Sequence, residues 1–151
     1  MKIKIQEKTS VEKCKIESYW FENKSIGLEN TLFYKIEFFL KEFDPCLDFE
    51  DGLVETKIVL DWYELKLESD FNLDGLNLSK SNYPGSEGSV YIGSVHNWCD
   101  IKELVFQKNK DGSFDISCSM IIEFENEGIA ENEIFEFKIN HNPLELENKN
   151  H

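Results

Sequence analysis

Residues 113–125 alternate without interruption. Phe114, Ile116, Cys118, Met120, Ile122 and Phe124 fall on even positions, with Ser113, Asp115, Ser117, Ser119, Ile121, Glu123 and Glu125 between them. Successive side chains of an extended chain point to opposite faces, so this segment has one apolar face and one mostly hydrophilic face. That is the signature of a half-buried antiparallel strand with one side in water. Whatever else the chain does, it must provide an apolar partner for that face.

The same period recurs along the chain. Lys2-Ile3-Lys4-Ile5 opens a candidate strand over 2–7, and Cys14, Ile16, Ser18 and Trp20 alternate with Lys15, Glu17, Tyr19 and Phe21 over 13–22. Over 55–68, Ile58, Leu60 and Trp62 share a face, but Leu65 and Leu67 continue it with shifted parity, which predicts a bulge near Tyr63-Glu64. Further strands are read at 89–96, 101–107 and 133–140, the last with Phe135, Phe137 and Ile139 inward. Asn109-Lys110-Asp111-Gly112 supplies a hairpin turn between two of them.

Residues 31–43 fit two periods. Leu32, Tyr34, Ile36, Phe38 and Leu40 make a strand face, whereas Leu32, Ile36, Phe39, Leu40 and Phe43 make a helix face. The aromatic load favours strand. Two connections also resemble each other, Phe21–Asn30 and Phe124–Asn132, each running Phe-Glu-Asn to Glu-Asn ahead of an aromatic strand. The predicted fold is therefore mostly β, an antiparallel β-sandwich or strongly bent sheet of about eight strands. The alternative is α+β with a helix at 31–43.

A chain of 151 residues forms one domain and buries enough surface to fold without a metal or disulfide staple. The domain is expected to span 1–143, with a frayed tail at 144–151. Lysines and glutamates interrupt every apolar run near the N-terminus, so neither a secretory leader nor a membrane span is read and a cytoplasmic setting is expected. Cys14, Cys46, Cys99 and Cys118 form no C-x-x-C pair and are expected to be reduced.

Charge is distributed unevenly. Residues 1–43 hold 8 Lys and 7 acids; residues 44–151 hold 8 Lys and 23 acids, giving a net charge of −14 for the whole. From 111 to 137 there are 8 acids and no lysine. Such a surface repels nucleic acid and attracts a basic partner. The acids Asp115, Glu123, Glu125, Glu127, Glu131, Glu133 and Glu136 form the candidate partner-binding ledge.

Catalytic and metal signals are weak. Asp70-Asn72-Asp74-Gly75 matches the first half of a calcium loop, but position twelve is Ser81 where a bidentate Glu is needed. His96-Asn97-Trp98-Cys99-Asp100 gathers His, Cys and Asp with no glycine-rich oxyanion loop, and is read as a strand-to-strand connection. No phosphate-loop, dinucleotide, nucleophile-elbow or zinc-helix motif occurs. Tyr19, Tyr63, Tyr83, Tyr91 and Trp98 are candidates for an exposed aromatic platform. No catalytic residue, metal ligand or cofactor is assigned.

A small, acidic chain without arginine, with a bent sheet and no catalytic motif, resembles the bacterial immunity proteins that neutralise polymorphic nuclease toxins. The resemblance implies a non-enzymatic, cofactor-free protein that binds a basic toxin domain. The alternatives are a small-molecule or carbohydrate-binding domain and an assembly subunit, which would show as a symmetric oligomer.

Overall fold

The computed structural model describes residues 1–49, 52–67 and 71–142. Seven strands follow in order: β1 Val11–Asn23, β2 Leu28–Leu40, β3 Lys57–Tyr63, β4 Glu87–Ile92, β5 Val95–Lys108, β6 Phe114–Ile122 and β7 Glu133–His141. Each pairs antiparallel with the next in one continuous sheet. The sheet curls into a half-barrel, so the fold is the bent sheet rather than two stacked sheets. Residues 31–40 belong to β2, hydrogen-bonded on both sides by β1 and β3. The helical reading fails there because Phe39 points away from the core that Ile36, Phe38 and Leu40 enter.

The concave side holds one contiguous apolar cluster. Every even position of β6 contributes, as its alternation predicts. Phe38 of β2 meets Phe137 of β7 at 4.8 Å between ring centroids, so the cluster spans the hollow from near one edge of the sheet to the other. Phe43, Leu47, Val54, Leu73 and Leu78 from the connections fill the remaining space.

The expected first strand at 2–7 is instead a lead-in ending in one turn of helix, α1 Ile5–Lys8. Its alternation still reports burial, since Ile3 and Ile5 are both fully enclosed. The segment packs against β7, where Gln6 satisfies one residue of that edge twice. Its Nε2 donates to the Glu136 carbonyl at 2.9 Å, and its Oε1 accepts the Glu136 N–H at 2.7 Å. Unpaired edge groups invite intermolecular pairing, and this side chain occupies two of them.

Two further expectations are corrected. His96–Asp100 is no connection but the first half of β5; the chain turns at Gly93-Ser94, between the paired residues Ile92 and Val95. Gly93 has φ 59°, which a two-residue hairpin requires and most side chains resist. The bulge in β3 falls at Asp61-Trp62, slightly before the predicted position, and the strand ends at Tyr63 rather than at 68. Tyr34 pairs with Tyr63 while Ile36 pairs with Leu60, so β3 carries one extra residue. Trp62 at φ 64° absorbs it and swings to the convex face, leaving Tyr63 in the core with its hydroxyl on the Leu78 carbonyl at 2.7 Å. The Asn109–Gly112 hairpin forms as predicted, closed by the Asn109 N–H on the Ser113 carbonyl at 2.8 Å. The Phe21–Asn30 and Phe124–Asn132 connections both contain a short 3-10 turn followed by glycine.

Candidate functional site

The lysine-rich and acid-rich parts of the sequence occupy different parts of the convex face. On β1–β3 the fold compensates its own charge. Glu17, nearly buried, lies 2.8 Å from Lys15 Nζ and 3.7 Å from Lys35 Nζ, and Glu37 pairs with Lys57. Buried carboxylates need such partners. Lys13 and Lys57 also lie over the Phe39 ring, at 4.6 and 5.4 Å from its centroid.

On β5–β7 this compensation largely stops. Register places Asp100, Ile121 and Ile134 in one row across the three strands. Trp98 precedes Asp100 on the same face and Glu123 follows Ile121. Ile134 and Trp98 remain 61% and 41% exposed. The 3-10 turn that starts the β6–β7 connection is tied to the sheet by the Glu123 N–H on the Trp98 carbonyl at 2.9 Å. The result is a patch in which Trp98, Ile121 and Ile134 are interspersed with carboxylates, Asp100 paired with Lys102 at 2.7 Å and Glu123 with no lysine partner among the described residues. Exposed apolar groups bounded by polar ones are a common form of protein contact surface.

The predicted acidic ledge separates into two groups. Glu123, Glu125, Glu127, Glu131 and Glu133 gather at the β6–β7 connection, with Glu136 on the adjoining outer face of β7. Asp115 lies at the opposite end of β6, accepting from Asn140 Nδ2 at 2.8 Å and Asn109 Nδ2 at 3.2 Å. Those two hydrogen bonds hold its carboxyl below the usual range. Among the described residues no lysine is ion-paired with any of the seven; Glu131 lies 3.7 Å from the Met1 amino nitrogen. Glu125 and Asn132 exchange two hydrogen bonds, which fixes the shape of the connection. Glu133 accepts the Gln6 N–H at 2.9 Å.

The other candidates resolve differently. His96 and Cys99 point to opposite faces of β5, so they cannot form a nucleophilic pair. His96 stands on the convex side between Tyr91 and Trp98, with ring centroids 5.2 and 4.5 Å away. Of the aromatic platform, Tyr63 is core, while Tyr91 and Trp98 are exposed. Asp70 lies outside the described residues. Asp74 accepts the Lys108 N–H at 2.8 Å, which ties its loop to β5. Among the described residues no group of three or more His, Cys, Asp or Glu is placed to hold a metal ion. No described helix is long and apolar enough to cross a membrane.

Ile121 and Ile134 were the part of this surface that the sequence did not single out, whereas Trp98 was a candidate for an exposed aromatic platform. Their signal was apolar residues on faces that the alternation assigns to water. Asp61 and Glu87 were missed as well. They are direct register partners on β3 and β4, and neither is ion-paired among the described residues. Like charges placed directly opposite each other destabilise a sheet. A search of family models, curated proteins and solved structures finds no match to this chain.

The four cysteines are free, as expected, and three of them lie on the concave side. Burial pushes the thiols of Cys14, Cys99 and Cys118 well above their ordinary range. In the unfolded chain these thiols ionise from about pH 8.5, while the folded chain keeps its protons. The unfolded state then binds fewer protons, so stability falls as pH rises beyond that point. Under reducing conditions, urea midpoints are expected to hold from pH 7 to 8 and to drop steadily towards pH 10. The drop should be smaller in Cys118→Ala, and a midpoint unchanged to pH 10 would contradict the assignment.

Proposed function

We propose that this chain works by binding rather than catalysis. It is an immunity-type inhibitor that covers a basic surface of a protein partner, such as a toxin domain, with the convex face of β5–β7. One observation carries the reading: exposed Trp98 and Ile134 share the β5–β7 region with Glu123, Glu133 and Glu136, to which no lysine is ion-paired among the described residues, while Asp100 is held by Lys102 at 2.7 Å. The apolar side chains supply the area that excludes water on docking, and the carboxylates supply orientation and speed of encounter. The reading requires no cofactor, and the same charge disfavours nucleic acid.

The test is capture of a basic protein from the native host on immobilised wild-type chain. A variant with Glu123, Glu125, Glu127, Glu131 and Glu133 all changed to Gln serves as the comparison. The variant should retain several-fold less partner at about 50 mM salt, and the gap should narrow near 0.5 M as screening removes the wild-type advantage. Equal capture by both proteins at low salt would rule the proposal out, and a symmetric oligomer with no captured partner would favour an assembly subunit.

A further inference from the structure

A groove of about 430 Å³ opens on the sheet beside β3, away from the acidic connection. Phe33, Trp62 and Tyr83 form its aromatic lining, and Glu64 and Glu87 its acidic border. Trp62 is held between three rings, with centroids at 5.9 Å to Tyr19, 5.1 Å to Phe21 and 5.3 Å to Phe33. Behind it, Asp61 accepts the Tyr19 hydroxyl at 2.6 Å and the Trp62 backbone N–H at 2.7 Å. The indole position is thus fixed before anything binds.

The charges here are arranged against the chain's own interest. Asp61 faces Glu87 across the β3–β4 ladder with no lysine paired to either among the described residues. Among the described residues Glu64 is ion-paired only with Lys66, at 3.8 Å. Elsewhere on the same face the chain treats a ring and a carboxylate differently. Phe39 and Glu37 share Lys57, which pairs with the carboxylate and lies over the ring. The groove offers the same two partners, aromatic ring and carboxylate, but among the described residues no cation lies over its rings and no lysine is paired with Glu87; Lys66 is 3.8 Å from Glu64, and the Lys80 ammonium donates to the Pro84 and Ser86 carbonyls.

We propose that this groove receives an arginine side chain of the protein partner. A planar guanidinium stacks on aromatic rings and donates in a fork to carboxylates, which suits a site with both. This deepens the binding reading above and rests on it for the source of the arginine; the site's chemistry can be tested without the partner.

The probe is Nα-acetyl-arginine amide, titrated into isotope-labelled protein and followed by NMR at the three tryptophan indoles. The citrulline amide, which keeps the shape and loses the charge, is the control. The arginine probe is expected to shift the Trp62 indole saturably in the millimolar range, with Trp98 little changed. Glu64→Gln/Glu87→Gln, two exposed substitutions that leave the core intact, should weaken it at least fivefold. Equal shifts from citrulline amide would overturn the inference. So would arginine shifts centred on residues 123–133, or a methyl glycoside that saturates the same indole while arginine does not. If the arginine probe fails while partner capture still depends on the five glutamates, only the groove assignment falls. If the probe binds and capture is indifferent to those glutamates, the groove stands and the function reading falls.

Discussion

Replacing Phe38 by alanine will remove about 3–5 kcal/mol of folding stability, a large share of the roughly 5–15 kcal/mol that holds a domain of this kind. Phe38 has no exposed surface and sits near the C-terminal end of β2, between Cys14 of β1 and Ile58 of β3 in the ladder. Its ring also reaches across the hollow to Phe137. Truncation therefore leaves a cavity at the place where β2 and β7 meet. Urea unfolding should show the midpoint falling sharply with little change in slope. Phe49→Ala is the control: that ring is 54% exposed, and its loss should move stability by no more than about 0.5 kcal/mol.

The second large effect concerns binding. Once a partner is in hand, Trp98→Ala is expected to weaken the complex by about 2 kcal/mol or more, roughly thirtyfold in Kd, with little effect on folding. Tryptophan in a contact contributes through area removed from water, and Trp98 lies two residues along β5 from Asp100, the register partner of Ile121, which in turn pairs with Ile134. Its backbone carbonyl holds the β6–β7 connection, but alanine preserves that bond. The loss should appear chiefly as faster dissociation, whereas neutralising the glutamates should chiefly slow association. An unchanged dissociation rate in Trp98→Ala would place the contact elsewhere on the molecule.

Some of this molecule was readable before its structure. The face of β6 followed from strict alternation, and the Asn109–Gly112 turn from glycine in a polar tetrad. The lopsided charge was also visible, because it is a property of composition. What was lost has physical causes. Trp62 looked like a core residue because parity counting assumes regular pairing, and a single residue at positive φ reverses every side chain after it. His96–Asp100 looked like a loop because it is polar. Yet Asn97 is buried on the concave side, its Nδ2 donating to the carbonyls of Val90 and Val95 at 3.3 and 3.1 Å. Lys2–Glu7 carried a strand pattern, but the segment lies against β7 through side-chain bonds and ends in a helical turn. The convex patch was hidden because Trp98, Ile121 and Ile134 come from three strands. Only the register sets Ile121 beside Ile134 and diagonal to Trp98.

Hydrogen–deuterium exchange on the free chain and on its complex with a captured partner tests the central claim most directly. Slowed exchange is expected in peptides covering 95–101, 119–127 and 131–136, with residues 82–87 beside the groove also protected and β1 unaffected by binding. Protection confined to β1 and β2, or absent from the β6–β7 connection, would contradict the assignment of the acidic convex face as the binding surface.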